Sequence, residues 1–168
     1  MDYFNYKGKE LFAEDLAISE IAAQVKTPFY LYSAATLRRH YNIFNNSLKL
    51  KNKLICYAVK ANSNILVLKL LAELGSGADV VSQGEIKRAL EAGIDAQKIV
   101  YSGVGKSKEE IAFALDVGIL QFNSESYEEV VMINKIAQEK SVIQDIVLRI
   151  NPDVDAHTNA KISTGKRG

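Results

Sequence analysis

The sequence has one cysteine, Cys56, so no internal disulfide can form. That fits a reducing compartment, although a small strand residue buried in a core would look the same. Long apolar runs are also missing. The most apolar stretch, Ile65-Leu66-Val67-Leu68-Lys69-Leu70-Leu71, is short and broken by a charge, and the start Met1 to Lys9 lacks an apolar segment behind a basic end. These absences predict neither a membrane span nor a signal peptide, and a cytoplasmic protein is expected. Charge of one sign is not in excess: 21 Lys and Arg stand against 20 Asp and Glu, with no block of like charge. Nothing in this balance calls for nucleic acid or an anionic membrane as partner, which leaves a small molecule. Histidine is scarce as well. His157 has Asp153 and Asp155 nearby, but the other histidine, His40, belongs to a distant helical stretch, and no metal site is expected.

What is present is an alternation of short β-rich runs and helical stretches. The runs are Leu54 to Val59, Ala78 to Val81, Ile99 to Tyr101, Ile119 to Phe122 and Ile146 to Ile150. Between them, Ser82 with Glu85 and Ser107 with Glu110 have capping-box spacing, and Gly75, Gly93 and Gly118 stand where helices should stop. This rhythm predicts a parallel sheet with right-handed crossovers. Ahead of it, Asp15 to Val25 reads as a helix, Phe29 to Tyr32 as a strand-like segment, and Ser33 to Leu48 as a long helix with apolar positions at Leu37, Tyr41 and Phe44. The division expected is an N-terminal arm and helix over 1–26 and an incomplete barrel over 27–168.

Two architectures fit five strands. A flavodoxin-like doubly wound sheet suits the length, whereas a (β/α)8 barrel needs roughly 250 residues. Polar groups at successive strand ends favour a barrel cut short: Lys60, Ser82, Ser102, Asn123 with Ser124, and Arg149 with Asn151 would open onto one face.

Lys60 follows the first run, where Cys56 and Ala58 would share its face and leave room beside it. An amine at the mouth of a sheet can condense with an aldehyde, although a solvated lysine is the commoner occupant of such a position. Gly103-Val104-Gly105-Lys106-Ser107 superficially suggests a phosphate-binding P-loop, but that motif needs a glycine at position 100, which is Val100.

Tyr57-Ala58-Val59-Lys60-Ala61-Asn62 resembles the lysine signature of the fold-type III pyridoxal-phosphate (PLP) enzymes. Three further segments, Gly77 to Glu85, Tyr101 to Ser107 and Arg149 to Thr158, resemble the diaminopimelate decarboxylase family in order and spacing. Alanine racemases continue differently after the asparagine, where this chain has Ser63-Asn64-Ile65. The resemblance implies an α/β protein with a partial TIM-type barrel of the alanine racemase-like class, with Lys60 carrying PLP. It also implies decarboxylation of meso-2,6-diaminopimelate to L-lysine in a homodimeric lyase of lysine biosynthesis. Asp79 and Arg149 match positions that set the charge around the cofactor lysine in related decarboxylases, and a structural ion pair between strand ends explains them equally well. Ile162 to Gly165 resembles a loop near the family's active site. The family's phosphate loop, pyridine-nitrogen glutamate, substrate-binding residues and C-terminal β domain have no counterpart here, so efficient catalysis by these residues alone is not expected. An ornithine- or arginine-type decarboxylase, a racemase, and a PLP-binding barrel without its own chemistry remain as alternatives.

Overall fold

In a computed structural model, which describes residues 3–150, the order of the strands decides between the two architectures. Five strands, β4 (Cys56–Ala58), β5 (Gly77–Val80), β6 (Ile99–Tyr101), β7 (Gln121–Ser124) and β8 (Asp145–Leu148), lie side by side in chain order, all parallel. A flavodoxin-like sheet reverses its order at a switch point, and this sheet has no reversal. The helices confirm single winding: α2 (Ala34–Ser47), α3 (Ile65–Glu73), α4 (Gln83–Glu91), α5 (Lys108–Val117) and α6 (Tyr127–Glu139) each pack against the next. The chain is therefore an arc of a (β/α) barrel.

Period-two alternation along each strand divides the sheet into two faces. Ala78, Val80, Ile99, Tyr101 and Phe122 point toward the helices and are buried, packing with Leu68, Ile86, Ile111, Ala114 and Ile133 in one core. Tyr101 and Phe122 meet with ring centres 5.7 Å apart. The opposite, concave face carries Ala58, Asp79, Val100 and Gln121 in one register row, with Asn123 opposite Val147 one step further along.

The helix expectations hold best where a cap is visible. Ser33 accepts the Thr36 N–H at 3.0 Å and opens α2, and Ser107 with Glu110 forms a complete capping box on α5. At Ser82 only half of the predicted box exists: the hydroxyl accepts the Glu85 N–H, but the Glu85 carboxylate turns back to the Val81 N–H, 2.8 Å away, one residue before the cap.

Two N-terminal expectations are corrected. The helix predicted from Asp15 begins at Ile18, because Leu16–Ala17 forms strand β3 of an antiparallel sheet with β1 (Phe4–Lys7) and β2 (Glu10–Ala13). These strands are too short for a period-two pattern to stand out. The Phe29 to Tyr32 segment, read as strand-like, forms no strand and belongs to neither sheet, so its aromatic residues marked a β-prone composition that found no pairing partner. The arm is fastened by Glu14, whose carboxylate accepts the Ser33 hydroxyl at 2.7 Å and the Ala35 N–H at 2.9 Å. No helix among the described residues is long and apolar enough to cross a membrane.

Candidate active site

Strand β4 stops at Ala58, one residue short of the expected Val59. Residues Val59–Ala61 form a 3-10 turn, which ends the alternation of the strand. Lys60 therefore does not continue the face of Cys56 and Ala58. Val59 is fully buried beneath it as an anchor, and Lys60 stands exposed on the turn at the carboxyl end of the sheet, with no ion pair among the described residues. The Asn62 N–H donates to the Val59 carbonyl, and Asn64 caps α3 by accepting the Leu66 N–H, so both sides of the turn are held.

Beside this turn, polar side chains from three strands join hands across the concave face. Asp79 lies opposite Ala58 in register. Its Oδ1 accepts the Ser102 hydroxyl at 2.5 Å, Ser102 Oγ accepts from Asn123 Nδ2 at 2.9 Å, and Asn123 Oδ1 accepts from Gln121 Nε2 at 2.8 Å. The ladder keeps one carboxylate oriented toward a row of hydroxyl and amide groups. Next to it, Ser102, Gln121, Asn123, Glu125, Val147 and Arg149 line a cleft of about 410 Å³.

Arg149 and Asp79 do not form the ion pair that was one reading of them. Arg149 Nη1 binds Glu125 Oε1 at 3.0 Å across the ends of β7 and β8, while Asp79 is satisfied by Ser102. Glu125 escaped the sequence reading because nothing marks it apart from its neighbours. Cys56, on the same face, has its thiol pushed up to about 11, first by burial and then by the Asp79 charge, so it stays protonated near neutrality and is a poor nucleophile. His157, Asn151 and Ile162 to Gly165 lie outside the described residues. Among the described residues, no three His, Cys, Asp or Glu side chains gather in a way that could hold a metal ion.

The false P-loop has a different use. Gly103 takes φ +91°, and a Cβ there would lie 3.3 Å from Val81 Cβ, so the loop after β6 presses against the end of β5 as only glycine allows. Lys106 is thereby folded inward, where its ammonium meets Glu129 Oε1 at 2.7 Å. Neither residue was singled out as a site from sequence, because burial of a lysine leaves no mark in the pattern.

A singly wound parallel barrel with an exposed amine and an ordered carboxylate at its carboxyl face defines a class: barrels whose strand ends hold a carbonyl cofactor by a lysine. The donor set fits pyridoxal phosphate, offering Lys60 for covalent attachment and a polar, concave wall for a flat ring. The pyridoxal-binding domain of pyridoxal-dependent decarboxylases matches residues 34–168, and the chain belongs to that family. The chain is 54% identical to diaminopimelate decarboxylase of Haemophilus influenzae over 98% of its own length and 40% of the relative's. It superposes on the crystal structure of diaminopimelate decarboxylase from Helicobacter pylori complexed with L-lysine with a TM-score of 0.86, at 49% identity, over 89% of this chain and 38% of that one. The M. jannaschii diaminopimelate decarboxylase, also in complex with L-lysine, gives 0.89 at 35% identity over 98% and 39%. The chain thus spans about 40% of the length of the curated relatives it matches.

Proposed function

We propose that this chain is the N-terminal portion of a decarboxylase that converts meso-2,6-diaminopimelate to L-lysine and carbon dioxide, with Lys60 as the residue that bears the cofactor. One observation carries the assignment of Lys60: a primary amine free of ion pairs among the described residues stands at the carboxyl end of β4, where Ala58 faces Asp79 across the strands. Pyridoxal phosphate, when bound, supplies the electron sink that lets a carboxylate leave as carbon dioxide.

The protein's own share is placement. Lys60 would hold the cofactor, and the 3-10 turn anchored by Val59 fixes where its amine starts. Asp79 contributes a negative charge whose direction is set by the Ser102 hydroxyl, and Arg149, tied to Glu125, contributes a positive one at the far side of the cleft. Residues that orient the substrate carboxylate and deliver a proton to the product carbon are assigned to the rest of the full-length protein. A cytoplasmic homodimer is the form proposed, in keeping with the single cysteine and with the family resemblance.

The test is reduction of the PLP-loaded full-length protein with borohydride, followed by peptide mapping and a carbon dioxide assay. Label on Lys60 and release from meso-diaminopimelate but not from ornithine or arginine are expected. Label on another lysine sinks the assignment of Lys60, and equal release from ornithine sinks the substrate.

A further inference from the structure

The enclosed pair of Lys106 and Glu129 has no part in the scheme above, although it sits directly behind the ladder that faces the cleft. The two side chains are 1% and 8% exposed. Lys106 Nζ donates to Glu129 Oε1 at 2.7 Å, to the Gly103 carbonyl at 2.6 Å and to the Asn123 carbonyl at 3.1 Å, so all three ammonium protons are committed. The ammonium also stands 5.3 Å from the centre of the Tyr101 ring. Removing a charge pair from water is costly, and apolar replacements of such pairs often leave a fold as stable or more so. Stability by itself is therefore a weak reason for a lysine here.

Geometry gives a stronger one. The three acceptors belong to three separate pieces of chain: the loop after β6, the end of β7 and the first turn of α6. One of them is the backbone carbonyl of Asn123, the residue whose side chain donates to Ser102 at 2.9 Å, and Ser102 in turn donates to Asp79 at 2.5 Å. We propose that Lys106 is a positioning residue, a buried tripod that sets where Asn123 presents its amide and so holds the Asn123–Ser102–Asp79 ladder in register against the cofactor. The inference rests on the reading of that face as the cofactor site.

The experiment uses the full-length protein freed of cofactor, titrated with PLP by fluorescence, as wild type, Lys106→Met, Ser102→Ala and the double variant. Lys106→Met is expected to weaken PLP binding on the order of tenfold, the usual scale for a residue that orients a binding group from behind. Ser102→Ala should then add nothing in the Lys106→Met background, because both variants break one chain of contacts. Unchanged affinity, or losses that simply add, would overturn the positioning role. Should Lys106→Met fail to fold, Glu129→Gln, which keeps the ammonium and weakens one leg of the tripod, should shift affinity in the same direction by less, and no shift would overturn the role. Borohydride labelling of the wild type separates the two ideas. Label away from Lys60 defeats the site itself, whereas label on Lys60 with unaltered variant affinity defeats only Lys106.

Discussion

At Gly77 a hydrogen in place of a side chain lets β5 begin hard against the loop that leads into β6. A Cβ there would fall 2.2 Å from the Lys98 carbonyl oxygen and 2.9 Å from Cys56 Sγ. Backbone cannot swing aside as a side-chain tip can, so Gly77→Ala should lower unfolding stability by about 3 kcal/mol in urea titrations. A loss below experimental error would show that the sheet start is not tightly packed. The same scale explains Lys60 and Lys106. Both follow strand ends in the sequence, yet one is exposed on a 3-10 turn and the other is enclosed by three oxygen acceptors. Residue type was visible for each, but environment was not.

Among the elements, the N-terminal sheet and α2 are joined through one carboxylate. The Ala35 N–H, then the Ser33 hydroxyl, hold the Glu14 carboxyl below its ordinary value of 4.5. A depressed carboxyl contributes stability that is present above the unfolded value and lost as pH falls through the folded one. Docking of the arm should therefore weaken as pH drops below about 4.5. Glu14→Gln should remove that pH dependence while loosening the arm at neutral pH. Hydrogen exchange of Tyr3 to Ala17 followed from pH 6 to pH 3 would measure both, and identical profiles for the two proteins would count against the contact. The helices follow the same logic of local chemistry. Ser33, Ser82, Ser107 and Ser126 each accept an N–H three residues ahead; Ser82 and Ser107 were legible as caps from sequence, and Ser126 with Glu129 has the same spacing, because capping is settled within one turn.

For the molecule as a whole, the consequence lies in the outer strands. Among the described residues β4 and β8 each have one sheet neighbour, and β8 is exposed along its length, with Ile146, Val147 and Leu148 between 38% and 62% accessible. Beside it, Tyr127, Val130, Val131, Ile143 and Ile146 line an apolar cleft of about 520 Å³. An unpaired, apolar strand edge invites another strand. The 168-residue chain should self-associate with rising concentration in sedimentation velocity, and Val147→Lys should reduce that association. A monomer at all concentrations would mean that the edge is already protected.

The sequence by itself determined the β/α rhythm, the helix stops at Gly75, Gly93 and Gly118 and the caps at Ser82 and Ser107, because each depends on residues within a turn or two of one another. The resemblance of several ordered segments then pointed to the decarboxylase family. Tertiary structure decided what depends on residues far apart. Strand order separated a barrel arc from a doubly wound sheet, and pairing between short strands built an N-terminal sheet that no periodicity announced. Contacts across strand ends gave Arg149 to Glu125 rather than to Asp79, and burial turned Lys106 from half of a false phosphate loop into a tripod. Such pairings are set by which chain segments become neighbours on folding, and local pattern does not carry that information.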